Sequence, residues 1–393
     1  MIKGKTFIDL KESYTGGSTD MYVPHGVNIH GYDINSLYPH SMANNPMPVN
    51  NIKYFEGNID LNQYFGFFYV EVEAPDNLNI PVLQIHHNNK TVSPLGKFTG
   101  WFFSPELINA INLFGYKIKI IKGYSFDKAN IFKGYVNELY QMRLTYPKSN
   151  PMNYIAKILM NSLYGRFGLN PLLPETQFIA KDMLEDFIST CEITDLIEFD
   201  DKILIQYIDQ VNLENFDNDS EPGVISNIAI ASAITGYSRI TMSLIKKYCL
   251  DHGIIILYSD TDSVFTDKPL PDYLVGNKLG QWKLEGLYKE AVFIAPKVYA
   301  LIEINGKEIV KCKGYKNKDL TFNDLKNLLT LNESIKLPQQ KWYKSIEESK
   351  ITIKNQLYTL QATGNKRLLM YNKDKFLIQF LNKNKIDNFP SFN

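Results

Sequence analysis

Two aspartates one residue apart follow a short apolar run, and this pattern constrains the fold of the 393-residue chain more than any other. The run 254–257 contains only isoleucine and leucine, which is typical of a buried strand. Asp260 and Asp262 come directly after it, in the segment 258–263. Because residues i and i+2 of an extended chain face the same side, both carboxylates are expected to point at one spot. A divalent cation is the usual reason to bring two such charges together.

Asp33 is the best candidate for a third carboxylate, which would complete a site for one or two Mg²⁺ ions. It follows a predicted strand at 27–32. The next polar pair, Asn35-Ser36, suits a turn or a helix N-cap with N–H groups open to anionic oxygens, so a phosphate could lie beside the metals. The alternative is that Asp33 merely caps a helix at 36–43, because aspartate is a common capping residue.

A third pattern predicts a helix of about three turns at 153–168, closed by Gly165. Lys157, Asn161 and Tyr164 share one face, and a lysine, an amide and a ring in line suit a triphosphate, a sugar and a stacked base. The other face is predicted to pack through Ile155, Leu159 and Met160. The alternative is an ordinary amphipathic helix with a solvated lysine.

Taken together and in this order, the three patterns resemble motifs A, B and C of the family B DNA polymerases. The matching segments are Asp33 with Ser36-Leu37-Tyr38-Pro39, Lys157 with Asn161-Ser162-Leu163-Tyr164-Gly165, and Tyr258-Ser259-Asp260-Thr261-Asp262-Ser263.

Two further segments narrow the resemblance to the protein-primed members. Tyr14-Thr15-Gly16-Gly17 is similar to their linker motif before motif A, and Lys297-Val298-Tyr299 is similar to their Lys-x-Tyr motif after motif C. The resemblance covers roughly residues 13–318 and is nearest to the polymerases of mitochondrial linear plasmids and protein-primed phages.

The resemblance implies an α+β fold shaped like a right hand: a palm of antiparallel sheet and helices, two-helix fingers and a small C-terminal thumb. Residues 1–45 are expected to hold the linker motif and the palm strand with motif A, and residues 46–128 to hold palm with an insertion like the first terminal-protein region. The fingers with motif B are expected at 129–168, followed by an insertion like the second terminal-protein region at 169–223. The palm with motif C and the Lys-x-Tyr motif is expected at 224–318, and the thumb at 319–393.

The residue pattern within these divisions predicts individual elements. The second insertion is predicted to be strand-rich with a hairpin, and residues 320–393 are predicted to be largely helical. Helices are predicted at 130–145 and 225–250, and strands at 65–72, 116–121, 282–288 and 292–303.

The resemblance also implies a two-metal mechanism. Asp33 and Asp262 would bind two Mg²⁺ ions, or Mn²⁺ as a substitute, with the carbonyl of Ile34 as a further ligand. Asp260 would support them or complete one coordination sphere. The implied catalytic residues are therefore Asp33, Asp260 and Asp262.

The substrate contacts implied by the resemblance fall into two groups. Nucleotide-binding positions are Ser36, Leu37, Tyr38, Arg143, Lys157, Asn161 and Tyr164. Among these, Tyr38 would block a ribose 2′-hydroxyl, and Arg143 would be a second phosphate-binding cation unless it is simply a surface arginine. Positions for DNA and the primer are Tyr14, Gly16, Gly17, Gly165, Thr261, Lys297, Tyr299 and Lys313. Lys297 and Tyr299 would share one face of a strand beside the primer phosphates.

The formal net charge at pH 7 is +0, although phosphate contacts need a positive surface. The charges are unevenly distributed. Basic residues cluster after motif C and in the last third: Lys297, Lys307, Lys311, Lys313, Lys316, Lys318, Lys341, Lys344, Lys354, Lys366, Arg367, Lys373 and Lys375. Acidic residues gather at 182–221: Asp182, Glu185, Asp186, Asp200, Asp201, Asp217, Asp219 and Glu221. The basic part could follow a duplex, and for any one lysine a solvated surface is the alternative.

Composition indicates a soluble globular protein, with 44% hydrophobic and 21% charged residues. No apolar run of the ~20 residues needed to span a bilayer and no signal or transit pattern is expected, so a membrane is not an expected partner. Cys191, Cys249 and Cys312 are isolated, which favours reduced thiols and no zinc site.

The implied partners are a DNA template-primer, dNTPs and a terminal priming protein. The chain is rich in residues with A/T-rich codons, which fits an organellar plasmid or a small phage. The expected location is the mitochondrion, with the cytoplasm of a phage-infected host as the alternative.

Two rival interpretations accompany the polymerase. Only 12 residues precede Ser13-Tyr14, too few for the usual 3′–5′ exonuclease domain, so no proofreading is expected. A remnant reading frame that binds DNA or a terminal protein without polymerising is therefore one alternative. A reverse transcriptase is another, but those enzymes carry adjacent aspartates at motif C, whereas Thr261 separates the pair here.

Overall fold

The computed structural model describes residues 2–87, 90–170, 173–209, 226–315, 320–330, 333–345, 350–362, 367–372 and 377–382. Helices and antiparallel sheets both contribute, as the α+β expectation requires. The helices of this described part are α1 Gly4–Ser13, α2 Leu37–Asn44, α3 Ser104–Phe114, α4 Lys133–Thr145, α5 Pro151–Phe167, α6 Leu184–Thr190, α7 Ile228–Asp251 and α8 Phe322–Asn327.

The strands form several sheets, of which the largest has seven members. They are β1 Thr19–Met21, β2 His25–Ile34, β3 Met47–Glu56, β4 Gly66–Ala74, β5 Ile85–His87, β6 Lys90–Val92, β7 Gly96–Phe103, β8 Lys117–Ala129, β9 Glu175–Ala180, β10 Cys191–Glu198, β11 Lys202–Asp209, β12 Ile256–Asp260, β13 Ser263–Thr266, β14 Trp282–Ala295, β15 Val298–Glu303, β16 Glu308–Cys312, β17 Ile335–Ser345, β18 Lys350–Leu360, β19 Arg367–Asn372 and β20 Leu377–Asn382.

The seven-stranded sheet sets the positions of the predicted catalytic residues. Its strand order is β1-β12-β13-β2-β14-β15-β16, and each neighbouring pair is antiparallel. The register pairs Ser263 of β13 with Asp33 of β2. Because the turn between β12 and β13 carries Asp262, this register brings motifs A and C to the same edge of the sheet.

Helix α7 is the central helix of the fold and packs against α1, α2, α3 and α5. Seventeen of its 24 residues are buried. It is long and apolar enough to span a membrane by length and composition, so the expectation that the chain holds no such segment is wrong. Most of its apolar window is buried inside the protein, as in the core helix of a globular domain.

A second sheet, β3-β8-β4-β7, packs against α3 through a separate aromatic core. It contains the strands predicted at 65–72 and 116–121, and the second of these, β8, extends much further than predicted. The strand predicted at 282–288 is also longer, because β14 continues to Ala295 and the chain turns only before Val298.

The segment 175–209 is strand-rich, as predicted. Its sheet, β10-β11-β9, is covered by α6 and has its own small core, centred on Ile179, Ile203 and Ile205. Several charged residues predicted to matter lie outside the described residues: Asp217, Asp219, Glu221, Lys316, Lys318, Lys366, Lys373 and Lys375.

The prediction that residues 320–393 are largely helical is wrong for the part that the structure describes. Only α8 is helical there, whereas β17 pairs with β18 and β19 with β20 in antiparallel hairpins. The reason is local: Pro338 disfavours a helix, and the β-branched run Ile351-Thr352-Ile353 favours a strand.

Candidate active site

The motif C aspartates lie on a tight turn, not on an extended strand as expected. Strand β12 ends at Asp260, Thr261 adopts a left-handed conformation with φ of +51°, and β13 begins at Ser263. The N–H of Asp262 donates to the carbonyl of Asp260 at 2.5 Å. The turn gives the two carboxylates different partners.

Asp260 is paired with a lysine. The Lys297 ammonium donates to both carboxylate oxygens, at 2.8 and 2.6 Å. The hydroxyls of Thr19 and Thr261 donate to Oδ1 at 2.8 and 3.1 Å. A carboxylate held by a cation and two hydroxyls is already neutralised, which fits the supporting role that the sequence assigns to it.

Asp33 and Asp262 are instead half-buried, and their carboxylates have no such partners among the residues described. Burial, and then the negative charge of Asp262, raise the pKa of Asp33 to about 7, although Lys283 opposes this rise. Burial and then Asp260 raise the pKa of Asp262, with Lys297 acting in the opposite direction. The carbonyl of Asp262 accepts from the N–H of Ile34 at 2.8 Å, which ties the turn to β2.

These oxygen atoms fit Mg²⁺ or Mn²⁺. The described residues contain no group of three or more His, Cys, Asp or Glu side chains suited to a metal ion. The three-carboxylate site predicted from Asp33, Asp260 and Asp262 is therefore not found as one group, since Asp260 is paired with Lys297. Mg²⁺ is commonly held by one or two carboxylates together with substrate phosphates and water.

The alternative that Asp33 caps the following helix is wrong. Asp33 lies within β2, and Ser36 occupies the position before α2, with a left-handed φ of +54° and no side-chain capping bond. Leu37 begins the helix and is buried in the core.

Motifs A and B meet through two tyrosines. The rings of Tyr38 and Tyr164 stack with their centroids 4.1 Å apart. Burial, and then Tyr164, raise the pKa of Tyr38, so its hydroxyl stays neutral at physiological pH. This contact closes one wall of the candidate nucleotide site.

Arg143 is half-buried beside motif A, which argues against a simple surface arginine. Its Nη1 donates to the hydroxyl of Ser36 at 3.2 Å, and its buried Nε has no hydrogen-bond partner among the described residues. Asn153, a residue the sequence did not single out, donates its amide to the carbonyls of Arg143 and Tyr146 at 2.9 and 2.8 Å. A buried asparagine in the first turn of a helix is the signal that could have indicated it.

The outer part of α5 is exposed. The side chains of Lys157 and Asn161 are exposed and form no hydrogen bond or ion pair with the residues that the structure describes. Ile155 and Leu159 are 45% and 44% exposed, so the packing predicted for them is wrong, whereas Met160 is buried as predicted. The helix packs through a neighbouring face, which includes Asn153 and Ala156.

Helix α5 also runs past its predicted end. It continues through Gly165 to Phe167, and the N–H of Gly168 then bonds to the carbonyls of Tyr164 and Gly165. A Cβ at Gly165 would meet open space, so this glycine is not required for close packing within the described structure.

The shared strand face expected for Lys297 and Tyr299 is also wrong. Lys297 lies in the turn before β15, with φ of +63°, and its N–H donates to the hydroxyl of Tyr258 at 2.9 Å. Tyr299 packs in an aromatic cluster with Tyr258 and Phe293. The turn gives the two side chains different contacts: Lys297 binds Asp260 at the end of β12, whereas Tyr299 packs on Tyr258 of the same strand. Lys313 lies beside them, with its N–H bonded to the carbonyl of Lys297.

The linker motif packs directly on the motif C turn. A Cβ on Gly17 would lie 2.7–2.9 Å from three atoms of Thr261, so only glycine fits there. The N–H of Thr261 donates to the carbonyl of Ser18 at 3.0 Å. Tyr14 lies against Gly168 at the end of α5, where a Cβ would come 2.5 Å from its hydroxyl.

Residues 1–249 match the family described as DNA polymerase type B, organellar and viral. The chain belongs to this family. A probable DNA polymerase of Ascobolus immersus is 36% identical over 386 residues, covering 95% of this chain and 31% of that protein. A probable DNA polymerase of Neurospora intermedia is 36% identical over 374 residues, covering 90% of this chain and 37% of that protein. The chain thus spans about a third of the length of these relatives.

The fold agrees with this membership. The structure of Phi29 DNA polymerase complexed with primer-template DNA and incoming nucleotide substrates matches with a TM-score of 0.65. The two chains are 19% identical, and the match covers 91% of this chain and 62% of that one. At this identity the likeness concerns the fold alone, and it confirms the expected polymerase-type architecture of the type B family.

Proposed function

We propose that this chain is a DNA-directed DNA polymerase, which adds dNTPs to the 3′-hydroxyl of a primer as the template directs. The observation that carries the proposal is the pair Asp33 and Asp262, which share one edge of the seven-stranded sheet. Burial, and then the negative charge of Asp262, raise the pKa of Asp33 to about 7. Such a pair is unfavourable without a cation, and the family membership supports the same chemistry.

The metal ligands in this proposal are Asp33, Asp262 and the carbonyl of Ile34. Two Mg²⁺ ions, or Mn²⁺ in their place, would lower the pKa of the primer hydroxyl and neutralise the leaving pyrophosphate when bound. Asp260, neutralised by Lys297, holds the turn in the geometry that the other carboxylates require.

The phosphates of the incoming nucleotide are bound from two sides. The N–H groups of Ser36 and Leu37 at the start of α2 favour anionic oxygens. Arg143, whose Nη1 binds Ser36 and whose Nε has no partner in the described part of the chain, and the exposed ammonium of Lys157 supply the positive charge that offsets the charge developing on the phosphates.

The sugar and base contact the motif A and B tyrosines. Tyr38, stacked on Tyr164, occupies the space that a ribose 2′-hydroxyl would need. Tyr164 and Asn161 shape the base-pair pocket. The primer strand passes Thr261, Lys297, Tyr299 and Lys313, and the linker residues Tyr14, Gly16 and Gly17 with Gly165 complete the DNA side.

The domain roles follow the predicted divisions, with fingers built from α4 and α5 and a thumb built from β17 and β18 in place of helices. In the proposed setting, the two insertions contact a terminal priming protein, and the polymerase replicates a linear plasmid or a phage-like element. Its location is then the mitochondrion or the cytoplasm of an infected host.

A primer-extension assay tests the activity. The purified chain is given Mg²⁺, the four dNTPs and a gapped template, and Asp262→Ala serves as the matched inactive variant. We expect extension by the wild type only, with DNA binding unchanged in the variant. Binding of DNA without extension by the wild type would favour the remnant that does not polymerise.

A further inference from the structure

A buried ion pair joins the central helix α7 to α3 behind the linker motif. Arg239 of α7 and Glu106 of α3 are each 6% exposed at their side chains. The guanidinium donates from Nε and Nη2 to the two carboxylate oxygens, both at 2.8 Å. Gly236 makes room for the pair, because a Cβ there would lie 2.8 Å from the Glu106 carboxylate.

The remaining nitrogen of the same guanidinium binds the linker. Nη1 of Arg239 donates to the carbonyl of Thr15, and to that of Gly16 at 3.2 Å. One guanidinium therefore binds two consecutive carbonyls, of Thr15 and of the first residue of the Gly16-Gly17 pair. Glycines have a large conformational entropy to lose, so an external anchor is needed to hold them in one conformation.

Three contacts then connect the linker to the turn that carries Asp260 and Asp262. Gly17 lies in van der Waals contact range of Thr261, which leaves no space for a Cβ. The carbonyl of Ser18 accepts the N–H of Thr261, and the hydroxyl of Thr19 binds Asp260 at 2.8 Å. Strand β1 also pairs in register with β12, with Thr19 opposite Asp260.

We propose that Arg239, oriented by Glu106, is a positioning residue for the candidate active site: it anchors the linker at 15–16, and the linker fixes the turn that carries Asp260 and Asp262. This inference rests on the proposed polymerase function. A buried ion pair is weak evidence of a stabilising role, because apolar replacement of both partners is often neutral or stabilising. Because the guanidinium also binds the two linker carbonyls, the ion pair has a role in positioning the linker.

The double variant Arg239→Met with Glu106→Leu separates positioning from stability. It removes both buried charges together, so the fold is expected to keep its thermal midpoint. The linker, however, loses its anchor. We expect kcat for primer extension to fall about 100-fold, the loss that a displacement near 1 Å can cause, while KM for the dNTP changes little because the fingers are untouched. The Mg²⁺ concentration at half-maximal rate is expected to rise.

The matched control removes a hydrogen bond between the same two helices. Asn109 of α3 donates to the hydroxyl of Ser243 of α7 at 3.0 Å, about one turn further along each helix, without touching the linker. Asn109→Ala with Ser243→Ala is expected to leave kcat, KM and the Mg²⁺ requirement at wild-type values. Hydrogen exchange of the amides at 14–19 and 258–263 should accelerate in the Arg239/Glu106 variant and stay unchanged in the control.

Three outcomes would overturn the proposal: a folded Arg239/Glu106 variant with wild-type kcat, a control with the same loss, or unchanged hydrogen exchange at 258–263. If the double variant does not fold, Arg239→Lys takes its place, since a lysine keeps the charge but cannot reach both the carboxylate and the two carbonyls. An inactive wild type would reject the polymerase function, and the hydrogen-exchange comparison would still decide whether Arg239 positions the turn.

Discussion

The two sides of the candidate site, proposed above as palm and fingers, are built in different ways. On the palm side, Asp260 is bound by Lys297 and Thr19, and the turn is tied to β2 and to the linker. On the fingers side, the side chains of Lys157 and Asn161 are exposed and make no bond to the described part of the chain. The carboxylate side is thus held by contacts within the chain, whereas the side chains of Lys157 and Asn161 are open to solvent. Palm variants should lower kcat, and fingers variants should raise KM.

The largest expected effect separates the two motif C aspartates. Asp262→Asn should lower kcat by about a thousandfold or more, because it removes a carboxylate proposed to hold the metal ions, whose contribution is several kcal/mol. Asp260→Asn should cost less, about ten- to a hundredfold, because it only weakens the contact with Lys297. Single-turnover primer extension measures both. Equal losses would contradict the division between ligand and support.

The next effect concerns the contact between palm and fingers. Tyr38→Val removes the ring that stacks on Tyr164 and opens space at the sugar. The preference for dNTP over rNTP, measured as the ratio of kcat/KM values, should fall about 100-fold. Tyr54→Phe, at an exposed ring of β3 in the second sheet, is a suitable control. If the ratio of kcat/KM values is unchanged in Tyr38→Val, the ring does not exclude the ribose 2′-hydroxyl.

Lys157 tests the fingers side directly. Lys157→Ala should raise KM for the dNTP about 10- to 100-fold, the loss expected for one charge-assisted hydrogen bond, with a smaller change in kcat. Tyr154→Ala, on the exposed side of the same helix, controls for general effects on α5. A drop in kcat at constant KM would show that Lys157 behaves like the palm residues, and would contradict the proposed difference between the two sides.

A smaller effect is expected at Gly17. The Cβ of Gly17→Ala would meet Thr261 at 2.7–2.9 Å and displace the turn. We expect about a tenfold lower kcat at nearly constant KM. Gly134→Ala in α4, where a Cβ meets nothing within 4 Å, is the control. Wild-type kcat for the Gly17 variant would show that the turn tolerates the displacement.

The smallest effect is on stability. The folded-state pKa of Asp33 is about 7, above its ordinary value of 3.8, so metal-free protein loses stability as pH rises from about 4 to 7. Asp33→Asn removes this loss. In EDTA at pH 8 the variant should be more stable by about 1 kcal/mol, after solvent screening of a half-buried group is allowed for. Urea unfolding at pH 5 and pH 8 measures it, and a stability difference independent of pH would contradict the assignment.

The sequence predicted those features that depend on local pattern. The strand before Asp260, the helix with Lys157 and the positions of Asp33 and Tyr38 all follow from short segments. The partner of Asp260 could not be predicted, because Lys297 is distant in sequence and reaches it only through a turn with positive φ. The exposure of Ile155 was missed for a similar reason, since tertiary packing decides which apolar face of a helix is covered.

The buried ion pair and the C-terminal hairpins were also not predicted from the sequence. Arg239 and Glu106 carry no local motif, and their meeting depends on the packing of α7 against α3. The C-terminal hairpins were mistaken for helices because lysine-rich segments suit both structures, and only Pro338 and the β-branched residues of β18 distinguished them.

The central claim is that Asp33 and Asp262, and not Asp260, form the preorganised metal site. The most direct measurement is Mn²⁺ binding to the protein with bound dNTP, followed by electron paramagnetic resonance at pH 8. We predict that Asp33→Asn and Asp262→Asn weaken Mn²⁺ binding at least tenfold, while Asp260→Asn retains most of it. Wild-type Mn²⁺ affinity in the Asp262→Asn protein, or its loss in Asp260→Asn alone, would contradict this assignment.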